Sequence, residues 1–219
     1  MIGNKKHYLI AGATGLIGKQ LVKLLLDDPK TGKVSSLVRR PSGLEHKKLQ
    51  EIHINWDQFT EKDLPQHVDA SFCCLGTTMK KAGSKDAFKT VDFDYVLKLA
   101  VFSQRKNIPQ FHVVSAAGAD TGSRVFYNRV KGNMENELEK LKKIKSIYVY
   151  RPSMLLGDRD EFRLGETLGK IAMKAFSFLT PKSYKAIYDV QVAMSMLHHA
   201  KDAKKGYHVV DNAAMHDLT

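Results

Sequence analysis

A doubly wound, mainly parallel α/β sheet is the fold that this 219-residue sequence predicts, and three observations predict it. Short apolar runs of strand length alternate with stretches whose apolar residues recur at helical spacing. The first apolar run, Tyr8 to Ala11, leads into glycines at 12, 15 and 18, and a helix pattern follows at once. The residues best suited to chemistry fall where predicted strands end, which is where open α/β sheets bind ligands.

The elements follow in order. Leu16, Ile17, Leu21, Val22, Leu24, Leu25 and Leu26 make the apolar side of the first helix, and Asp27-Asp28-Pro29 closes it. Lys33–Val38 reads as the second strand, ending in Arg39-Arg40 before the breakers Pro41, Ser42 and Gly43. Glu51–Asn55 is a weaker third strand. Asp69–Leu75 is a fourth, running into Gly76-Thr77-Thr78, and a basic loop from Met79 to Ser84 follows. Helical spacing then spans Asp86–Lys106, through Phe88, Val91, Tyr95, Val96, Leu99, Ala100 and Phe102. Phe111–Ser115 reads as the fifth strand, about Arg124–Lys143 as a helix, and Ser146–Tyr150 as the sixth strand. In the helix, Glu135, Glu137 and Glu139 precede Lys140, Lys142 and Lys143, an order that suits the helix dipole and needs no functional explanation. Helical stretches around Gly165–Leu179 and Asp189–Asp202, then a strand at Tyr207–Val210, complete the chain. We expect one domain over 1–219, with part of about 155–205 forming a small C-terminal cap over the cleft.

Composition bounds the function without choosing it. The formal net charge of +12 suits an anionic partner, such as a phosphorylated cofactor, an acidic substrate or nucleic acid. There is no recognised nucleic-acid motif and no interleaving of aromatic with basic residues, so nucleic acid is not the expectation. Cys73 and Cys74 are strand neighbours pointing to opposite faces, which argues for reduced thiols; no spacing suits a metal site. The start runs straight into the first strand without a signal-peptide pattern, and no apolar run is long enough to span a bilayer. The expected location is therefore the cytoplasm, with no membrane partner.

The glycine spacing carries the first chemical reading. Gly12 supplies backbone angles that a side chain forbids, Gly15 lets the chain approach a pyrophosphate at the helix start, and Gly18 lets helix and strand pack closely. A structural glycine-rich turn is the competing explanation, so support is needed elsewhere. Arg39 stands 21 residues beyond Gly18, where an NAD-preferring fold places an acid for the ribose 2′-hydroxyl. An arginine cannot accept that hydrogen bond but can pair with a 2′-phosphate, and Arg40 could do the same, which favours NADP(H). A solvated arginine pair at a strand end is the alternative.

Tyr127 and Lys131 form a Tyr-x-x-x-Lys on a predicted helix, so phenol and ammonium share a face. A cation there favours the phenolate and tunes the tyrosine as an acid or base. With eight tyrosines in a lysine-rich chain the motif arises readily by chance, and its place after the fifth strand is what gives it weight. Ser115 ends that strand and could hydrogen-bond a substrate oxygen, although a serine at a strand end is often only a turn former. Leu75-Gly76-Thr77 and Arg151-Pro152-Ser153 each follow a strand, Gly76 permitting close cofactor approach and Pro152 standing beside the nicotinamide.

With those residues in view, the chain resembles the atypical short-chain dehydrogenase/reductases, and more narrowly the Tat-interacting-protein oxidoreductase family. The matching stretches are AGATGLIG, LVRR, CCLGTT with the following KAG, VDFDYVLKLA, VSAAGAD, YNRVKGNME and YRPSMLLGDRDEFRLGE, in family order over nearly the whole chain. The resemblance implies a Rossmann-like domain that binds NADPH and a Ser/Tyr/Lys reductase constellation. By match, Gly12, Thr14, Gly15, Leu16, Ile17 and Gly18 would hold the pyrophosphate and Arg39 the 2′-phosphate. Gly76 would flank the ribose and Pro152 the nicotinamide; Tyr127 would be the acid/base, and Lys131 would hold the ribose hydroxyls. One departure stands out: where relatives often carry a Ser-Ser pair and a larger polar residue, this chain has Ser115-Ala116-Ala117, one hydroxyl fewer.

Two functions from different classes follow. One is NADPH-dependent reduction of a small carbonyl compound, with Tyr127 as acid/base. The other is an NADPH-binding sensor that acts through a protein partner, which the missing hydroxyl favours. Sugar-nucleotide epimerisation uses the same residues, but the tail is short for a sugar-nucleotide lobe. A reductase needs both the Tyr127 and Ser115 hydroxyls at the cleft. A Ser115 hydroxyl turned into the core, or a Tyr127 hydroxyl walled off from any cavity, sets the reductase aside in favour of the sensor. The expected assembly is a monomer or homodimer.

Overall fold

A computed structural model describes residues 5–157 and 181–219. Seven strands form one sheet, all parallel: β1 Lys6–Ala11, β2 Thr31–Val38, β3 Leu49–His53, β4 Ala70–Cys73, β5 Gln110–Val114, β6 Ser146–Arg151 and, at the far edge, Gly206–Asp211. A second, two-stranded sheet pairs β7 Leu155–Leu156 with β8 Ile187–Tyr188, so the edge strand of the main sheet is β9. The main sheet runs β3-β2-β1-β4-β5-β6-β9, reversing direction at β1, where the cleft of a doubly wound sheet opens. Because the strands are parallel, the carboxyl ends of β1, β2, β4, β5 and β6 share one edge, and the predicted site residues cluster there.

Helices cover both faces, which is why the central strands read as unbroken apolar runs. Side chains alternate across the sheet: Tyr8 and Ile10 join one core, Leu9 and Ala11 the other. On the first face, α1 Leu16–Asp27 and α6 Asp189–Lys201 pack together through Leu21, Leu25, Val192 and Met196. On the second, α4 Tyr95–Arg105 and α5 Phe126–Glu139 supply Val96, Leu99, Met134 and Leu138. Of the stretch expected to contribute a cap, α6 therefore lies in the helix layer against α1. The helix expected around Gly165–Leu179 lies outside the described residues.

Several boundaries differ from the sequence reading. The basic loop at Met79–Ser84 contains a short helix, α2 Met79–Ala82, capped by the Thr78 hydroxyl on the Lys81 N–H at 3.2 Å and ended by Gly83 at φ +77°. The helix expected over 86–106 is three pieces: α3 Lys85–Lys89, a π-helical turn Thr90–Asp94, then α4. A π turn inserts an extra residue into the helix, a device frequent at functional sites; here it brings the Asp92 side chain inward, where it is 1% exposed. A terminal helix, α7 Asn212–Asp217, had no clear apolar period to announce it.

Candidate active site

The glycine turn is built as its spacing demands. Gly12 sits at φ +84°, and a Cβ there would lie 2.5 Å from the Cys74 carbonyl oxygen. Both angle and space therefore require glycine. A Cβ on Gly18 would run into the Gly12 carbonyl oxygen, so α1 can rest on the turn only without one. Helix α1 begins at Gly15 with no side-chain cap and no acid in its first turn. Its first N–H groups, from Leu16, Ile17 and Gly18, thus lack the capping partner that helix starts normally have. With Thr14 and Gly15 exposed beside them, they form a cradle that fits an anionic pyrophosphate.

At the end of β2, Arg39 and Arg40 are both exposed, next to the β1–β2 side of the cleft. Leu75, Gly76 and Thr77 follow β4 into the same opening. The Thr77 N–H donates to Asp92 Oδ2 at 2.8 Å, and a Cβ on Gly76 would meet Asp92 Oδ1 at 3.6 Å. Asp92 Oδ1 pairs with Lys131 Nζ at 2.8 Å, and both side chains are buried. One carboxylate thus ties Thr77 to Lys131, two residues predicted to touch cofactor, and lies beside Gly76. Sequence reasoning missed Asp92. Its signal was present: Phe88, Asp92, Val96 and Leu99 share a helical face, and an acid on a buried face requires a partner.

Lys131 is positioned by α5 as the Tyr-x-x-x-Lys spacing requires. Its ammonium also reaches the Val114 carbonyl at 3.4 Å, so two of its three donors face protein. Burial by itself would lower the lysine pKa, but the Asp92 carboxylate, aided by Tyr127 and Cys73, more than offsets it and the net shift is upward. Lys131 is therefore a fixed cation. Tyr127, four residues earlier, packs its ring against Phe88 at 5.6 Å between centroids. Its hydroxyl makes no hydrogen bond among the described residues.

Ser115 lies beyond the end of β5 and borders the same cleft, but its hydroxyl is committed elsewhere. It donates to Glu135 Oε1, and Glu135 is buried and bound by Arg151, whose Nε lies 3.0 and 3.1 Å from its two carboxylate oxygens. Donation to Glu135 raises the arginine pKa. Glu135 is thus a correction to the sequence reading, which had grouped it with surface charges. Tyr127, Lys131 and Glu135 stand four residues apart on one face, and that spacing was the signal. Glu137, by contrast, forms the exposed pair with Lys140 that the dipole argument described.

The strand-end residues close around a cavity of about 200 Å³. Its walls come from Ser115, Ala116, Ala117 and Gly118 after β5, Tyr127 and Asn128 on α5, and Pro152, Ser153 and Leu155 after β6. Tyr127 and Pro152 therefore line one space. Arg39 and Arg40 lie at the other end of the cleft and take no part in this cavity. The walls mix polar and apolar groups, and the cavity is open to solvent.

A parallel sheet reversing at β1, a glycine turn under an uncapped helix and a Tyr/Lys pair at a strand-end cavity define a dinucleotide-binding protein of short-chain dehydrogenase/reductase architecture. The chain belongs to the NAD(P)H-binding family, whose match covers residues 12–149. It is 39% identical over 191 residues to the protein HTATIP2 of Rattus norvegicus, covering 85% of this chain and 76% of that one. The resemblance to the Tat-interacting family is thereby borne out. It is also 30% identical over 213 residues to the mitochondrial protein FMP52 of Coccidioides immitis (90% and 86% covered). Among solved structures, a UDP-N-acetylglucosamine 4-epimerase from Methanobrevibacter ruminantium, in complex with UDP-N-acetylmuramic acid, matches with TM-score 0.73 at 16% identity, over 95% of this chain and 77% of that one. The PhqB reductase domain from Penicillium fellutanum matches with TM-score 0.64 at 17% identity, over 97% and 68%. At such identities the likeness is one of fold.

One expectation is overturned. Relatives across several fungi carry the name FMP52, mitochondrial, so a cytoplasmic location does not follow from the sequence. No helix among the described residues is long and apolar enough to cross a membrane.

Proposed function

We propose that this chain is an NADPH-dependent reductase of small carbonyl compounds in which Tyr127 is the acid. The single observation that carries the reading is Tyr127: its hydroxyl has no partner among the described residues, and the residue lines a small open cavity together with Pro152. When bound, the reduced nicotinamide supplies hydride; the chain supplies the rest. Lys131, held by Asp92, donates to ribose hydroxyls and keeps a positive charge near the phenol. Tyr127 gives its proton to the oxygen of the substrate carbonyl as that oxygen gains charge. The preference for NADPH over NADH is supported by Arg39, exposed at the end of β2, where an acid would select the unphosphorylated ribose.

The second reading, an NADPH-binding sensor with little turnover, is favoured by Ser115. Its hydroxyl proton goes to buried Glu135, which meets the condition set from the sequence for taking up the sensor, although Ser115 still borders the cavity. The reductase keeps precedence because the proton to be transferred belongs to Tyr127. Removing one oxyanion donor from a site slows turnover by about 10²–10³ without abolishing it. A screen of aldehydes, ketones and quinones with NADPH tests the proposal. Turnover that disappears in Tyr127→Phe supports the reductase; NADPH binding without turnover on any member supports the sensor.

A further inference from the structure

With the Ser115 hydroxyl occupied, a substrate oxygen has one side-chain donor assigned to it, and the cavity contains one further candidate. Four polar side chains border the cavity: Ser115, Tyr127, Asn128 and Ser153. Ser115 donates to Glu135, and Ser153 donates to the Lys185 carbonyl at 2.5 Å. The Tyr127 hydroxyl and the Asn128 carboxamide make no side-chain hydrogen bond among the described residues. The Asn128 amide is half-buried at the cavity and has its donors free for a ligand oxygen.

The amide also lies against Gly118. A Cβ built on Gly118 would lie 2.7 Å from Asn128 Nδ2 and 2.9 Å from its Cγ. Gly118 does not have the left-handed φ that would call for glycine, and the neighbour that a side chain there would displace is the Asn128 amide, the end of a flexible side chain. The Asn128 carbonyl accepts the Asp120 N–H at 3.1 Å, and Gly132, one turn later, lets the same loop lie directly on α5, where a Cβ would be 2.5 Å from the Thr121 nitrogen. The loop after β5 is thus clamped to the helix on both sides of the amide. Neighbouring helix residues project about 100° apart, so Tyr127 and Asn128 reach the cavity from different directions. A carbonyl oxygen has two lone pairs and can take one donor from each.

We propose that Asn128 is the second hydrogen-bond donor to the substrate oxygen, a catalytic residue that takes the part expected of Ser115. This rests on the reductase reading above. In the step it serves, hydride from the reduced nicotinamide forms the new C–H bond and the carbonyl π pair moves to oxygen. The Tyr127 O–H breaks to protonate that oxygen, and the nicotinamide is left oxidised. Asn128 exchanges no proton; it stabilises the charge that builds on oxygen before the proton arrives.

The test uses the full chain, NADPH and an aldehyde that the unmutated protein reduces in a Tyr127-dependent manner. Asn128→Ala should lower kcat by about 10²-fold, the scale of a lost oxyanion donor, with NADPH affinity by calorimetry changed no more than a few-fold. Asn128→Asp, which keeps the shape and replaces the donor by an acceptor, should lose at least as much, and its melting temperature checks the fold. Gly118→Ala should reduce kcat in the same direction by displacing the amide. If Asn128→Ala and Asn128→Asp keep full kcat while Tyr127→Phe loses it, the inference fails and the reductase reading stands. If the unmutated protein reduces no carbonyl at all, the reading fails and takes this inference with it.

Discussion

Lys131 Nζ stands 2.8 Å from Asp92 Oδ1, with the two side chains 3% and 1% exposed, and the second Asp92 oxygen holds the Thr77 N–H. This buried pair joins the π turn before α4, the loop after β4 and the helix that carries Tyr127. Removing one member of such a pair strands the other charge and costs about 3–5 kcal/mol. Asp92→Asn keeps the shape and an acceptor for Thr77 but removes the charge. It should lower stability by roughly that amount in denaturant unfolding and weaken NADPH binding, because Lys131 loses its anchor. An Asp92→Asn variant as stable as the unmutated protein would show that the pair is not structural.

Much of the architecture was legible because it rests on local rules. The glycine spacing, the alternating core strands and the Tyr127–Lys131 face follow from backbone sterics and helical period, which neighbouring residues set by themselves. What escaped was set by distant partners. Asp92 went unread and Glu135 read as an ordinary helix charge until the fold placed Lys131 and Arg151 against them. Ser115 was assigned to the cleft because β5 ends there, but which way its hydroxyl turns depends on a residue 20 positions later. The π turn and α2 were lost because one extra residue or one short turn leaves almost no period to detect.

Gly18 gives a sharper steric test. A Cβ there overlaps the Gly12 carbonyl, which is backbone and cannot swing aside. Gly18→Ala should either prevent folding or force α1 off the turn and abolish NADPH binding, as read by calorimetry and circular dichroism. Unchanged binding would mean that the helix and turn are not packed as described.

Cofactor choice should rest on Arg39. The unmutated protein should bind NADPH more tightly than NADH in calorimetry, and Arg39→Asp should erase or reverse the difference. Equal affinities before mutation would remove Arg39 from the site.

Acid stability should follow buried histidines. Burial, with a further push from His199, depresses His112 to about 3, and burial likewise lowers His7 and His199. The folded values lie below the unfolded imidazole value, near 6.5, so folding excludes protons. Stability held above that pH is lost as pH falls towards the folded values, at up to about 1.4 kcal/mol per pH unit for the fully buried His112. His112→Gln should flatten the decline between pH 6 and 4.5 measured by denaturant unfolding, these bounds being about the window where unfolded histidines titrate. A decline as steep as before would assign it to other groups.

The central claim is that hydride leaves NADPH for a carbonyl carbon while Tyr127 delivers the proton. The most direct measurement follows deuterium from NADPH labelled at the nicotinamide C4 into the products of an aldehyde and ketone panel, by mass spectrometry. The unmutated protein should place deuterium on the new alcohol carbon. Tyr127→Phe should place none, while binding NADPH within a few-fold of the original affinity. Deuterium transfer undiminished in Tyr127→Phe, or tight NADPH binding with no transfer to any carbonyl, would contradict the account.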